Sequence, residues 1–287
     1  MGTPMHLRPA VRSLMTAVAA LALGFVGLAA PAPASATTSA SAPTSVLDIP
    51  PRGANDWSCK PDPAHPEPVV LVNGTFKLMA ENWATLSPRL KRAGYCVFAF
   101  NYGRLATAPV PRSATELKDF VEAVRGATGS AKVDLVGHSQ GGMMPRYYVK
   151  FLGGADKVDD LIGIVPSNHG TTNPLTKPLG DLACPACLDQ MAGSELLAKL
   201  NEGTETPAGP DYTVLTTRYD EIVIPYTSAL LNGPKEYVTN VVLQDRCPLD
   251  PFLHDQVTKD PVAAQWVLDA LGRKGPADPE FRPSCVG

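Results

Sequence analysis

Several features that mark other protein classes are absent from this sequence. Its 25 basic and 28 acidic residues give a formal net charge of −3, and no basic patch is present, so a nucleic-acid partner is not expected. No low-complexity tract and no internal repeat is visible, which argues against a disordered or repeat architecture. No calcium-loop pattern occurs either. We therefore predict no cofactor and no metal site, although dispersed carboxylates could still bind a structural ion.

The N-terminus carries a long apolar run with the features of an export signal. Arg8 and Arg12 precede residues 14–30, which are apolar or small throughout, and Ala34-Ser35-Ala36 follows as a cleavage motif. This arrangement predicts a secretory signal peptide over residues 1–36 and a secreted, extracellular protein. A membrane anchor is the alternative, because about 17 apolar residues lie at the lower limit for a spanning helix. The cleavage motif favours export.

The remaining chain has the size of one large domain. Residues 37–50 begin with a stretch rich in alanine, serine and threonine and are predicted to be a flexible linker, followed by one domain over residues 51–287. Cleavage after residue 36 of 287 would leave 251 residues and, by removing two arginines, change the net charge from −3 to −5. A chain of this length can bury a sizeable core.

Six cysteines follow the export signal, and an even number in a secreted chain indicates three disulfides. Six cysteines allow fifteen pairings. Cys184 and Cys187 form a C-x-x-C pair that could also be a redox or zinc pair. However, no thioredoxin-like strand and helix flank it, and no further ligands are spaced to complete a zinc site. We therefore expect a local disulfide there, and as a hypothesis we pair Cys59 with Cys96 and Cys247 with Cys285.

Strand and helix signals alternate along the chain and predict an α/β fold. Short apolar runs bounded by glycine and proline are typical of strands that are buried on both faces of a parallel sheet. Between these strands lie segments whose apolar residues recur at helical spacing. This alternation favours a mostly parallel central sheet with helices on both faces. The strands are predicted at 69–72, 95–100, 132–136, 160–165, 212–217 and 238–243, and the helices at 81–92, 113–125, 140–152, 194–200 and 261–271. Pro88 makes the middle of the first helix uncertain, and Ser113 or Thr115 is the expected cap of the second.

The third strand runs into Gly137-His138-Ser139-Gln140-Gly141, which matches the Gly-x-Ser-x-Gly pattern of a nucleophile elbow. In that motif the serine occupies a strained turn between a strand and a helix, and the glycines prevent clashes with both elements. A glycine-rich turn with an inert serine is the alternative. The position between a strand and a helix favours the nucleophile.

An acid and a base follow Ser139 in the chain order of the α/β-hydrolase fold. Asp220 comes directly after the fifth predicted strand, and His254 lies between the sixth strand and the last helix. His169 also follows a strand, but we expect it to shape a pocket or bond a neighbouring loop. The competing acids are less favoured by their positions. Asp134 lies inside a strand, Asp211 precedes one, and Glu221 should point away. The other three are close to the histidine in sequence: Asp245, Asp250 and Asp255.

Two backbone N–H groups are placed where an oxyanion hole would form. One belongs to Gln140, the residue after the predicted nucleophile, and the other to Thr75, or alternatively Phe76, in the loop after the first strand. A plain Asn-Gly turn at Asn73 and Gly74 is the alternative.

Four segments resemble the secreted actinobacterial class 2 lipases, which are α/β-hydrolases, and more distantly Candida antarctica lipase B. They are Val72-Asn73-Gly74-Thr75, Asn82-Trp83, Gly137-His138-Ser139-Gln140-Gly141-Gly142 and Asp220-Glu221-Ile222-Val223, and the resemblance spans residues 59–285. It implies Ser139 as nucleophile, Asp220 as acid, His254 as base, and Thr75 with Gln140 as oxyanion hole, and it agrees with the proposed cysteine pairs. Asn73 stands where the lipase B type has proline, whereas Asn168-His169-Gly170-Thr171 is typical of class 2.

These observations lead to an expected function with several alternatives. We expect a secreted serine ester hydrolase, a triacylglycerol lipase or carboxylesterase, that needs no cofactor, acts on a lipid or other ester, touches the lipid interface transiently and is a monomer. The same three residues would also serve a polyester hydrolase, a thioesterase or a peptidase, because the acyl pocket decides between them. A secreted binding protein on a hydrolase fold is the alternative outside enzymes.

Overall fold

The computed structural model describes residues 1–2 and 48–286. The predicted signal peptide, beyond its first two residues, and residues 37–47 of the predicted linker lie outside the described residues. Residues 48–286 belong to one compact unit. In the part of the chain that is described, no helix is both long and apolar enough to cross a membrane.

A six-stranded parallel sheet forms the centre of this unit. Its strands are β1 (Val69–Val72), β2 (Val97–Phe100), β3 (Val133–His138), β4 (Val158–Ile164), β5 (Asp211–Thr216) and β6 (Val238–Val242). They lie in the order β2-β1-β3-β4-β5-β6, and every neighbouring pair is parallel. The predicted α/β-hydrolase fold is confirmed, and all six strands form within two residues of their predicted ends.

Helices cover both faces of the sheet. They are α1 (Met79–Asn82), α2 (Leu86–Arg92), α3 (Gly103–Ala106), α4 (Val110–Thr128), α5 (Gln140–Phe151), α6 (Thr176–Ala183), α7 (Pro185–Asp189), α8 (Glu195–Asn201), α9 (Leu243–Arg246) and α10 (Pro261–Leu271). Short 3₁₀ turns lie at Tyr226–Ala229 and Val257–Lys259. One apolar cluster packs α4 and α5 against the sheet, and a second packs α2 and α10 against the opposite face. The core therefore has two layers, as expected for strands buried on both sides.

The helices differ from their predicted limits at two places. The predicted helix over 81–92 is broken by a turn at residues 83–85, whereas Pro88 lies in the first turn of α2, where its missing N–H does no harm. The second helix starts at Val110 after Pro109, so neither Ser113 nor Thr115 caps it. Ser113 is buried instead, because α4 is extended by a turn that packs on the sheet. Proline is favoured at the start of a helix, so Pro109 and Pro111 are the residues that mark this start.

All three predicted disulfides are present. Cys59 is bonded to Cys96 at the start of β2, Cys184 to Cys187 on either side of the start of α7, and Cys247 to Cys285 near the C-terminus. The Cys184 side chain also accepts a hydrogen bond from the Cys187 N–H and so caps α7. The C-x-x-C pair is thus a local structural bond in the insertion between β4 and β5.

Candidate active site

Ser139 sits in a strained turn between β3 and α5. Its φ of 55° and ψ of −123° lie outside the regions that non-glycine residues usually occupy. The Ser139 N–H donates to Ile164 O at the end of β4 (2.9 Å), and Ser139 O accepts from Gly142 N–H (2.9 Å). The turn therefore holds the serine at the C-terminal edge of the sheet, where ligands bind in open α/β folds.

Two glycines make this turn possible. A Cβ atom on Gly137 would lie 1.8 Å from Gly141 O, and a Cβ atom on Gly141 would lie 2.1 Å from Val72 O. Both contacts are with backbone atoms, so no side-chain movement could relieve them. The spacing of the Gly-x-Ser-x-Gly motif thus follows from the close packing of β3, α5 and β1.

Asp220 and His254 form a buried hydrogen-bonded pair. His254 Nδ1 lies 2.9 Å from both carboxylate oxygens of Asp220, and the two side chains are 3% and 0% exposed, respectively. Asp220 Oδ1 also accepts from the N–H groups of Ile222 (3.0 Å) and Val223 (2.7 Å), which fixes the carboxylate. With Nδ1 bound in this way, Nε2 is left as the nitrogen that can accept a proton, and His254 lines the cavity that also contains Ser139. A carboxylate in this position orients the imidazole and stabilises its charged form.

Ser139 and His254 line the same cavity of about 240 Å³. Among the described residues, no direct hydrogen bond joins the Ser139 hydroxyl to the imidazole. Such contacts are often loose without substrate and tighten when it binds. The structure brings the three predicted residues to one site.

Four of the competing acids lie where they cannot take the place of Asp220. Asp134 and Asp211 lie near the start of β3 and at the start of β5, at the opposite edge of the sheet. Asp250 Oδ1 accepts from Phe252 N–H (3.1 Å) and so caps its own loop. Glu221 does not simply point away, because its Oε2 accepts from the backbone N–H of His254 (3.1 Å). Glu221 therefore holds the histidine loop without touching the imidazole nitrogens.

His138, the variable residue of the elbow, connects three segments of the site. Its Nε2 lies 3.0 Å from His254 O, and its Nδ1 lies 3.2 Å from Asn82 Oδ1, which also accepts from Gly74 N–H (2.9 Å). Burial, together with the neighbouring His254 ring, lowers the pKa of His138 to about 3. The ring is therefore neutral at neutral pH, and its single N–H can donate to only one of these two oxygens, while the ring lies against both the histidine loop and Asn82.

The loop after β1 presents Thr75 beside Gln140. No described residue accepts a hydrogen bond from Thr75 N–H, and Gln140, as the first residue of α5, has no helical acceptor for its N–H. The predicted oxyanion donors are thus adjacent and unused. Phe76, the alternative donor, instead gives its N–H to Leu105 O (2.8 Å). This acceptor lies in α3, a left-handed turn in which all four residues have positive φ.

Gln190 is a functional candidate that sequence reasoning missed. Its Nε2 lies 3.0 Å from Thr75 Oγ1 and 3.1 Å from Gln140 Oε1, and the Thr75 hydroxyl itself donates to Gln140 Oε1 (2.7 Å). Gln190 Oε1 in turn accepts from the Ser167 hydroxyl (2.9 Å). One buried amide therefore bridges the two segments that carry the candidate oxyanion donors. In the sequence, the one feature that pointed to Gln190 was its place three residues after the C-x-x-C pair, in the insertion between β4 and β5.

Gln190→Leu is expected to lower kcat for ester hydrolysis by about tenfold to 100-fold with little change in KM. The substitution keeps the volume but removes the bridge, so the two N–H groups lose alignment that matters most in the transition state. Steady-state kinetics on a soluble ester measures this split.

Ser167→Ala is the matched control, because it removes only the outer hydrogen bond of Gln190 and should change kcat by less than about threefold. A Gln190→Leu variant that folds with an unchanged melting temperature and retains the wild-type kcat would contradict the positioning role.

His169 takes no part in this cavity. Its Nδ1 lies 3.1 Å from Ser228 O and its Nε2 3.0 Å from Glu205 Oε1, so it ties together neighbouring loops as the sequence analysis expected.

The mouth of the cavity is apolar and exposed. Leu175 and Leu179 line it from the start of α6, Leu182 lies one turn further on, and Ile222 lines it from the loop after β5. Leu175 is 66% exposed and Leu182 is 82% exposed. Exposed apolar side chains grouped at the rim of a cavity are typical of a surface that meets an apolar ligand.

The parallel sheet, the serine in a positive-φ turn after β3 and the buried Asp220–His254 pair together define an α/β-hydrolase. Residues 66–267 match the family model described as Lipase (class 2). The chain belongs to the class 2 lipase family.

Two curated relatives share part of the chain. A triacylglycerol lipase from Burkholderia plantarii is 32% identical over 144 residues, which cover 48% of this chain and 37% of that protein. A triacylglycerol lipase from Pseudarthrobacter phenanthrenivorans is 35% identical over 86 residues, which cover 28% of this chain and 27% of that protein. The chain thus spans well under half the length of these relatives.

Solved structures show the same fold at lower identity. Aspergillus fumigatus lipase B has a TM-score of 0.69 and 24% identity, over 81% of this chain and 57% of that one. The mature form of Bacillus licheniformis lipase BlEst2 has a TM-score of 0.52 and 18% identity, over 63% of this chain and 84% of that one.

Proposed function

We propose that this protein is a secreted serine ester hydrolase that acts on triacylglycerols or related carboxylic esters through an acyl-enzyme on Ser139. The observation that carries the proposal is the buried Asp220–His254 hydrogen bond beside a cavity that also contains Ser139. Export is supported by the signal-like N-terminus and by three disulfides, which persist mainly in oxidising compartments.

The mechanism follows from the roles of the three side chains. His254 takes the proton of the Ser139 hydroxyl as Oγ attacks the ester carbonyl, and Asp220 orients the imidazole and stabilises its positive charge. The N–H groups of Thr75 and Gln140 stabilise the oxyanion of the tetrahedral intermediate. His254 then protonates the leaving alcohol. In the second half of the reaction it activates water, which releases the acid from Ser139.

The apolar rim supports a lipid ester over a peptide or a small polar ester. The acyl chain would lie along the leucines of α6 and Ile222, while Gln190 and Thr171 supply the polar groups of the cavity wall. Polyester hydrolase, thioesterase and peptidase activities rest on the same side chains, and a binding protein on this fold is the alternative outside enzymes. We further propose that the protein acts as a monomer, which size-exclusion chromatography with light scattering tests.

The test is a substrate panel run on one enzyme preparation. It contains p-nitrophenyl esters of increasing chain length, emulsified triolein, a polyester film, an acyl thioester and a peptide amide, together with a fluorophosphonate probe. The proposal expects probe labelling and the highest kcat/KM on carboxylic esters with apolar acyl chains. Failure to label would favour the binding protein, and a preference for the film, the thioester or the peptide would favour the corresponding rival enzyme.

The exposed leucines yield a prediction about the lipid interface. Leu182→Ser should lower turnover of emulsified triolein by about tenfold or more, because burying a leucine in an apolar phase contributes roughly 1.5–3 kcal/mol. Turnover of soluble p-nitrophenyl acetate should change by less than about twofold. A pH-stat assay measures the first and absorbance the second.

Leu249→Ser is the matched control, since Leu249 is 94% exposed but lies outside α6, in the loop after α9. Equal losses on both substrates, or an equal effect of Leu249→Ser, would rule out interface contact through α6.

A further inference from the structure

Carboxylates gather at the edge of the sheet opposite the active site. Asp134 lies at the start of β3, Asp159 and Asp160 at the start of β4, and Asp211 is the first residue of β5. Glu67 lines the same cavity just before β1. Four neighbouring strands thus bring five acids to one place, where like charges would repel each other.

The register of the strands brings three of these acids together. Val133 pairs with Val158 and Leu135 with Leu161, so Asp134 alone faces both Asp159 and Asp160 across a β-bulge. A bulge re-aims the side chains of the strand that carries the extra residue. One ligand atom from each of these three aspartates lies within 4.8 Å of the others. Asp160 is also in register with Asp211 on its other side.

Burial makes this arrangement unusual. Asp134 and Asp160 are only 3% and 4% exposed. Asp134 Oδ1 accepts from Asp160 N–H (3.2 Å), but Asp160 Oδ1 is buried and has no donor among the described residues. A buried carboxylate oxygen without a partner costs free energy unless a proton or a cation compensates it.

Positive charge in the protein compensates only part of the cluster. Lys132 Nζ bonds Asp159 Oδ1 (2.8 Å), and the other basic groups at this cavity, Arg273 and Lys274, are on its exposed rim. Within the described part of the chain, no lysine, arginine or histidine side chain forms an ion pair with Asp134 or Asp160, and Lys132 pairs with Asp159 instead.

We propose that Asp134, Asp159 and Asp160 bind a divalent cation, with calcium as the preferred ion. Calcium binds oxygen ligands at about 2.3–2.6 Å, so two ligands of one ion lie up to roughly 5 Å apart, as these carboxylates do. The cluster offers neither histidine nor cysteine, which disfavours zinc and copper. Asp211 and residues 271–275, at the end of α10 and just after it, border the same cavity and offer further oxygens.

The ion would have a structural role. Asp134 is five residues before Ser139 along β3, roughly 16 Å at 3.3 Å per residue, so the ion is too distant to touch the ester. It would hold β3, β4 and β5 together at the edge where the like charges meet. This role is independent of the proposed ester hydrolysis.

The test uses the full chain after treatment with EDTA and dialysis. Calcium chloride should bind with a stoichiometry of one in isothermal titration calorimetry and, at 100 times its Kd, raise the melting temperature by roughly 5–10 °C. Magnesium chloride at the same ionic strength should have a smaller effect, because magnesium requires a tighter octahedral geometry. Asp160→Asn should weaken calcium binding at least about tenfold.

Asp211→Asn provides a second, less buried variant should Asp160→Asn fold poorly, and it should also weaken binding. Asp119→Asn is the matched control, since it removes one charge from the exposed face of α4, and it should bind calcium as the wild type does. The proposal is overturned if calcium leaves the wild-type melting temperature unchanged, as expected for two carboxyls that share a proton. It is equally overturned if both cluster variants keep the wild-type Kd. Ester turnover should stay within about twofold in all variants, so a failure here is separate from a failure of the proposed function.

Discussion

Ser139→Ala is expected to lower kcat for ester hydrolysis by at least about 10³-fold. The substitution removes the only atom that forms the covalent acyl bond, while the backbone N–H groups of Thr75 and Gln140 and the cavity around them remain. Those groups alone still stabilise an oxyanion, so a small residual rate over that in water is expected. Steady-state kinetics with a p-nitrophenyl ester, corrected for spontaneous hydrolysis, measures the loss.

The variant should fold at least as well as the wild type, because alanine occupies the strained turn with one polar atom fewer. It should also lose all labelling by a fluorophosphonate probe. Ser167→Ala, which changes a buried serine outside the cavity lining, should keep full labelling. A Ser139→Ala enzyme with near wild-type turnover would mean that another group is the nucleophile.

Asp220→Asn is expected to lower kcat by about 10⁴-fold at neutral pH. His254 Nδ1 now lies 2.9 Å from both carboxylate oxygens, which hold the proton on Nδ1 and leave Nε2 free to act as the base. An amide in this position can stabilise the opposite tautomer and no longer balances the imidazolium charge. The geometry should survive, because asparagine keeps one oxygen for the N–H groups of Ile222 and Val223.

Glu221→Gln is the matched control for this prediction. It removes one negative charge from the adjacent residue but keeps an oxygen for the His254 backbone N–H. We expect kcat to fall by about threefold or less. Comparable losses in the two variants would show that general negative charge near His254, and not the specific Asp220 contact, supports catalysis.

The fold could be predicted closely because its signals are local. A strand buried on both faces must be apolar along its whole length, as in β1, and the serine turn requires glycine at positions 137 and 141. The order of Ser139, Asp220 and His254 then followed from strand ends alone, since parallel strands bring their C-terminal ends to one edge. Helix starts were less predictable, as α4 shows, because several residue types can begin a helix.

Gln190 illustrates what local signals could not reveal. Its sequence neighbours have no helical or strand periodicity, and its partners Thr75 and Gln140 are 115 and 50 residues away. Only the packing of α7 on the elbow brings the amide to both. The exposed leucines of α6 are similar, because a short helix in an insertion acquires a role only from the cavity it borders.

The sequence by itself determined the parallel α/β sheet, the strained serine and the order of the three candidate catalytic residues, because each depends on a pattern within a few neighbouring positions. Only the tertiary structure decided that Gln190 bridges the candidate oxyanion donors and that a bulge between β3 and β4 gathers buried aspartates at the far edge. Contacts of this kind depend on strand register and on the docking of distant segments, which no short stretch of sequence encodes.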